Sequence, residues 1–182
     1  SPLGAGELAE PVKIRVGDLP VDVRGHGHAA PFVVDLDRDG LQDLAVGEYA
    51  GGGCRLYHNV GTATEPKFEG FDLLLSEGKP AAWVELMLGF DPQFADLDGD
   101  GADDIVTTGA ETTVFLNNGN RAVATPGISL GPDSGGSALA VLEWNGDGSP
   151  DIAVGGLNGR SVEVFVNDGN GAFSSAISLQ GS

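Results

Sequence analysis

Residues 30–47 read APFVVDLDRDGLQDLAVG: an apolar run, the pattern acid-x-Asp-x-Asp-Gly-x-x-Asp, and a second apolar run closed by glycine. The order returns at 92–109 as PQFADLDGDGADDIVTTG and, with Glu and Asn in place of two aspartates, at 139–155 as LAVLEWNGDGSPDIAVG. The flanking runs are short and rich in Val, Ile and Phe, which is the signature of strands rather than helices. Each acidic nonapeptide therefore joins the two strands of a hairpin. A third strand follows in every unit and ends in a similar turn, RLYHNVG at 55–61, VFLNNG at 114–119 and VFVNDG at 164–169. Asn and Gly there tolerate the left-handed backbone of a tight turn. Fourth strands are expected at about 67–75, 122–130 and 173–180.

The acidic loops begin at 35, 96 and 143, so the intervals are 61 and 47 residues. A repeat of that length suits four antiparallel strands with variable connections, the size of one propeller blade. The expected architecture is all-β: three four-stranded antiparallel blades, with 29–89, 90–137 and 138–182 as the repeats. Residues 1–28 form an N-terminal outer strand and linker. In PVKIRVGD at 11–18 the residues Val12, Ile14 and Val16 alternate, as in the outer strand of a blade whose other strands lie elsewhere. The stretch 81–90 is read as strand and loop. Three blades fall short of the roughly four to eight that close a ring, so the chain is expected to belong to a larger or assembled propeller.

Composition narrows the function. Of 182 residues 30 are glycine, about twice ordinary usage, which fits many tight turns. With 41% hydrophobic residues the chain can bury a core. Against 27 acidic residues stand 9 basic ones, for a formal net charge of -18. Displacing counterions from phosphate needs clustered Lys and Arg, so nucleic acid and anionic membrane are excluded as partners. No apolar run approaches the roughly 20 residues that span a bilayer. Cys54 is the only cysteine, read as a buried, inert thiol, so internal disulfides and thiolate metal sites are excluded. Ser1 opens the sequence and Met87 is its only methionine, which reads as a processed or excised segment.

Carboxylates two residues apart repel one another when they converge, unless a cation joins them. Alternating side chains around a Gly-containing turn can aim oxygens from positions 1, 3, 5 and 9, and the carbonyl of position 7, at one hard ion. Six or more oxygen donors favour calcium over zinc, and magnesium would demand stricter octahedral geometry. The candidate ligands are Asp35, Asp37, Asp39 and Asp43 with the carbonyl of Leu41; Asp96, Asp98, Asp100 and Asp104 with the carbonyl of Ala102; and Glu143, Asn145, Asp147 and Asp151 with the carbonyl of Ser149. Up to three calcium ions are expected, the third site being weakest because Glu143 is a methylene longer and Asn145 is uncharged. An EF-hand would need a bidentate Glu at position 12 and a helix after it. Position 12 is Val46, Thr107 and Val154, so that reading fails. Position 2, Leu36, Leu97 and Trp144, is apolar, which places Trp144 in core packing rather than ligand stacking.

The strand, acidic nonapeptide and strand unit resembles the FG-GAP or VCBS repeat of integrin-alpha-like propellers and bacterial surface proteins. The likeness covers 29 to about 173, but of the Phe-Gly and Gly-Ala-Pro signature only Ala30 and Pro31 remain, so the VCBS form is nearer. The resemblance implies calcium between the first and second strands of a blade, and propellers of about seven blades.

From these features the expected function is a non-enzymatic, calcium-stabilised module for adhesion, recognition or scaffolding, secreted or on the cell surface. The alternative is a non-catalytic portion of a carbohydrate-active propeller enzyme or a lectin. No G-x-S-x-G elbow, phosphate loop or HExxH motif is present. A protein or carbohydrate ligand is expected at the loops opposite the calcium sites, 19–28, 48–54, 76–89, 109–112, 131–137 and 156–160, where His26, His28 and Tyr49 are minor candidates. Further blades in cis or self-association are expected at the open ends.

Overall fold

In every unit the ninth loop position starts a strand whose side chains alternate between the two faces of its sheet, and that alternation organises the described part of the chain. A computed structural model describes residues 10–21, 29–48, 54–76, 79–80, 92–108, 111–120, 123, 126–131, 136–156, 161–174 and 177–180. An N-terminal hairpin is formed by β1 (Arg15–Val16) and β2 (Leu19–Pro20). The first blade comprises β3 (Ala29–Val34), β4 (Asp43–Glu48), β5 (Cys54–Tyr57) and β6 (Asp72–Leu73), followed by a small hairpin of β7 (Leu75–Ser76) and β8 (Lys79–Pro80). The second comprises β9 (Gln93–Ala95), β10 (Asp104–Thr107), β11 (Thr113–Phe115) and β12 (Ile128–Ser129). The third comprises β13 (Gly136–Leu142), β14 (Asp151–Gly156), β15 (Ser161–Phe165) and β16 (Ile177–Gln180).

All three are antiparallel meanders with strands in sequence order, and no helix occurs among the described residues. These are propeller blades, open rather than closed into a ring. The fourth strands are shorter than the apolar patterns suggest. In blades one and two only two residues pair regularly, with isolated bridges Asn59 to Phe68 and Asn117 to Val123 upstream.

Period-two alternation decides which blade each side chain meets. Ala45 and Leu56 of blade one pack with Ile105 and Phe115 of blade two, and Phe32 stacks on Phe94 with ring centroids 4.6 Å apart. Val106 and Val114, on the opposite face of blade two, pack with Ile152 and Val154 of blade three. Leu36 and Leu97, at position 2 of their loops, are buried in these two cores. Cys54 is fully buried, as expected of an inert thiol.

The N-terminal strand turns back after two residues, because Gly17 (φ +56) permits a tight return, pairs with its own continuation, and meets blade one through a parallel bridge from Val16 to Phe68. The hairpin lies on the free face of blade one, where Val16 and Val21 pack against Leu44, Val46, Tyr57 and Phe68. Two clefts of about 650 and 670 Å³ remain beside it.

Trp144 departs from the expected core packing: it is half-exposed, and among the described residues no blade faces its side of blade three. The stretch 81–90 and most of the loops opposite the acidic ones, with His26, His28 and Tyr49, lie outside the described residues.

Candidate metal centre

Position 9 is the anchor of each acidic loop. The buried carboxylate of Asp104 accepts the backbone N–H of Leu97 at 2.8 Å and that of Asn117 at 2.8 Å, tying the loop both to itself and to the end of the third strand. Asp43 does the same with Leu36 (3.1 Å) and Asn59 (2.7 Å), and Asp151 with Trp144 (2.8 Å) and Asn167 (2.8 Å). All three aspartates are essentially solvent-free. Two charge-assisted bonds apiece fix their orientation.

The other loop positions turn on local bonds. Asp35 Oδ2 accepts from Gly40 N (3.0 Å), Asp37 Oδ1 from Asp39 N (3.1 Å) and Asp39 Oδ1 from Leu41 N (2.8 Å). Loop two repeats this with Asp96 accepting from Gly99 and Gly101, Asp98 from Asp100 and Asp100 from Ala102. Position 4 needs a left-handed backbone, and Gly99 (φ +76) and Gly146 (φ +83) supply it cheaply. Loop one puts Arg38 there at φ +59. Its guanidinium reaches across to loop two, 2.5 Å from Asp100 Oδ1 and 2.7 Å from the Asp100 carbonyl, so the two loops are linked directly.

In loop one, carboxylate oxygens of Asp35, Asp37 and Asp39 come within 4.8 Å of one another, and in loop two those of Asp96, Asp98 and Asp104 do so. Asp35 Oδ1 is buried without a hydrogen-bond partner. A partnerless carboxylate oxygen amid other carboxylates carries an electrostatic cost that a hard cation would remove. This donor set, oxygen only and strongly anionic, fits calcium. Asp43, which converges with Asp37 and His58, and Asp100, shared with Arg38, complete the candidate ligands of the first two loops.

The third loop differs. Glu143 folds over its own backbone, accepting from Asn145 (3.1 Å), Gly146 (2.7 Å) and Gly148. Asn145 Nδ2 donates to Asp147 Oδ2 at 2.7 Å, and Asp147 Oδ1 accepts from Ser149 N. Among the described residues Glu143, Asp147 and Asp151 form no convergent group. The longer Glu143 and the amide of Asn145 thus satisfy each other's surroundings internally.

Three participants escape a reading based on the acidic pattern alone. His58 lies against loop one, with Nδ1 3.5 Å from Asp43 Oδ2 and 4.0 Å from Asp37 Oδ2, and Nε2 3.5 Å from Asp72 Oδ2. The residue in its place is Leu116 in unit two and Val166 in unit three, and that contrast is the signal in the sequence. Arg38 could be noticed as the one position 4 that is not glycine. The turn asparagines are the third. Asn59, Asn117 and Asn167 are buried and keep ordinary backbone angles, so they serve as hydrogen-bonding hubs rather than as left-handed turn residues. Asn117 Nδ2 donates to the carbonyls of Leu36 (2.8 Å) and Asp103 (3.0 Å), and Asn167 Nδ2 to those of Leu97 (2.8 Å) and Pro150 (3.1 Å). Each thereby staples its own blade to the loop of the preceding one.

Burial pushes the Asp104 carboxyl up to about 6, helped by the charges of Asp98 and Asp100 and opposed by its two backbone bonds. Asp103 is raised too, by burial and by Asp96 and Asp35. For Asp43 burial also acts upward, but hydrogen bonding with His58 and with the backbone of Asn59 and Leu36 outweighs it and the net shift is down. Groups raised on folding bind protons in the native state that the unfolded chain releases, so the metal-free protein loses stability as pH rises from the ordinary 3.8 to about 6. Asp43 acts in the opposite sense only below its ordinary value, where protonation removes its contribution. Protein stripped of metal on a chelating resin is therefore expected to melt higher at pH 5 than at pH 7. A flat or rising melting temperature across that interval would refute this assignment.

The sequence matches the profile of the FG-GAP-like repeat over residues 35–107 and again over 96–154. Among solved structures, a lectin of Agrocybe aegerita, described for specific recognition of non-reducing terminal N-acetylglucosamine, superposes with a TM-score of 0.55 at 25% identity. The match covers 84% of this chain and 38% of the lectin chain, so the chain spans about two fifths of that protein. The Tc holotoxin pore of Photorhabdus luminescens aligns with a TM-score of 0.48 at 19% identity, over 85% of this chain and 7% of that one. No curated protein matches the sequence.

Proposed function

Since this chain belongs to the family of FG-GAP-like repeats, we propose that it is a calcium-binding propeller segment that serves recognition or adhesion outside the cytoplasm and catalyses no reaction. The observation that carries the reading is the convergence of three carboxylates in each of the first two loops, with a buried, partnerless oxygen on Asp35. Calcium would be held by Asp35, Asp37, Asp39 and Asp43 in loop one and by Asp96, Asp98, Asp100 and Asp104 in loop two, aided by the carbonyls of Leu41 and Ala102. Bound there, it neutralises the loops and locks the hairpin tips. Glu143, Asn145, Asp147, Asp151 and the Ser149 carbonyl would form a weaker third site. Extracellular calcium modules bind with dissociation constants of about 10⁻⁴ to 10⁻³ M, which matches millimolar calcium outside cells and supports secretion or surface display. No helix among the described residues is long and apolar enough to cross a membrane.

The likeness to a sugar-binding lectin favours carbohydrate as the ligand class over protein. The ligand would meet the loops at the end of the blades opposite the metal, where a sugar ring would need an aromatic face and polar partners. A glycan array probed with and without calcium, combined with a polysaccharide-cleavage assay, tests this. Calcium-dependent retention without turnover is the expected result. Turnover would refute the non-enzymatic reading, and absence of retention on every glycan would refute the carbohydrate reading.

A further inference from the structure

Loop one divides its donors where loop two does not. In loop two the ninth position, Asp104, converges with Asp96 and Asp98 in a group made of carboxylates alone. In loop one the oxygens of Asp35, Asp37 and Asp39 form one group, while the ninth position, Asp43, joins Asp37 and His58 in a second. Asp37 belongs to both. The difference follows from one side chain just after the third strand, which is His58 in unit one, Leu116 in unit two and Val166 in unit three. β5 ends at Tyr57 and the Asn59 N–H donates to Asp43 at 2.7 Å, so His58, between them, is held against the root of the loop.

The mixed group has the donors and the setting of a transition-metal site. His58 Nδ1 lies 3.5 Å from Asp43 Oδ2 and 4.0 Å from Asp37 Oδ2. Donors bound to a tetrahedral zinc ion stand about 3.3 Å from one another, so small inward movements of the three side chains suffice. The setting is nearly dry, with the Asp43 side chain 0% exposed, Asp37 5% and His58 13%. Low solvent access strengthens the attraction between an ion and two carboxylates. The second ring nitrogen is provided for as well. Nε2 faces Asp72 Oδ2 of β6 at 3.5 Å, and a ligating histidine characteristically turns its other N–H to such a carboxylate, which fixes the tautomer that ligates through Nδ1. Calcium takes oxygen donors and gains nothing from an imidazole, whereas zinc accepts nitrogen and carboxylate oxygen together.

We propose that Asp37, Asp43 and His58 form a site for a borderline divalent ion of the zinc class, with Asp72 as its outer partner, and that this ion displaces calcium from loop one alone. The site itself rests on these side chains; only the displacement rests on the calcium reading of loop one. The two ions exclude each other because Asp37 and Asp43 serve in both donor sets. Loop two, with Leu116 in place of the histidine, keeps its calcium. A tetrahedral ion held by three protein donors leaves its remaining position to water.

The chain has three histidines, and His26→Gln with His28→Gln leaves His58 as the only one. In that background, metal-free protein labelled with nitrogen-15 is titrated with zinc alone and followed by NMR at the imidazole nitrogens. The expected result is saturation at one equivalent, with a large shift of His58 Nδ1 and a proton retained on Nε2. Asp72→Asn, at a side chain 74% exposed, should weaken zinc binding about 10–100-fold. In a second arm, protein loaded with radioactive calcium is dialysed against zinc. Half of the bound calcium should leave, and none should leave His58→Leu, whose retained calcium reports an intact fold. No shift of His58 in excess zinc, a shift at Nε2 instead of Nδ1, or undiminished zinc affinity in His58→Leu would overturn the proposal. The first of these is the outcome if His58 is only a counter-charge to Asp43. Loss of calcium from both loops would overturn the selectivity. If no calcium binds at all, the calcium reading fails while the imidazole spectra still decide the zinc site.

Discussion

Asp104→Ala is expected to be among the most damaging single substitutions in the described part of the molecule. It strips the partner from two N–H groups, those of Leu97 and Asn117, at a site with no solvent access. An unsatisfied buried donor costs about 1–3 kcal/mol. Removing a carboxylate whose burial is itself unfavourable in the metal-free protein returns part of that, so a net loss of about 2–4 kcal/mol is expected from the same accounting. The disturbance reaches across the interface, because Asn117 also carries the bond to the Leu36 carbonyl of blade one. Asp103→Ala is the control. The Asp103 carboxyl is itself raised by burial and by like charges, so its removal relieves repulsion and should change stability by about 0.5 kcal/mol or less. Chemical denaturation of both variants measures this, and equal losses for the two would refute the anchoring role of position 9.

Calcium is expected to have the second large effect. Of the 27 acidic residues, 12 sit in the three loops, counting Asp103, and without a counter-ion they repel. With free calcium at ten times the dissociation constant, linkage stabilises the native state by about 1.4 kcal/mol per site. The two convergent loops together then contribute about 3 kcal/mol on that arithmetic. For a chain of this size each kcal/mol moves the melting temperature by about 2–4 °C. Adding millimolar calcium to metal-free protein should therefore raise the melting temperature by about 6–12 °C on that scale. Asp98→Asn should remove about half of the rise, and an unchanged melt in calcium and in EDTA would rule out a structural role.

The blades were legible in the sequence because their signals are local. A nine-residue acidic pattern between two apolar runs specifies a hairpin, and its return at 96 and 143 specifies the repeat. The sheet order and the burial of Leu36 and Leu97 follow from those signals alone. What escaped depends on neighbours that are distant in the chain. The role of Asn117 rests on a carbonyl 81 residues away. Arg38 meets Asp100 across 62 residues, and its left-handed backbone contradicts its residue type. Trp144 has the composition of a core residue, but its exposure depends on whether a blade follows it. The different chemistry of the third loop is visible in Glu143 and Asn145, but its geometry is not: the extra methylene lets the Glu143 carboxylate reach three backbone N–H groups of its own loop.

Equilibrium dialysis of metal-free protein against radioactive calcium, over free concentrations from micromolar to ten millimolar, tests the central claim most directly. The account predicts two ions bound per chain below the millimolar range, one of them lost in Asp37→Asn and the other in Asp98→Asn, with the third loop filling only at the upper end. A chain that binds no calcium anywhere in that range would contradict it.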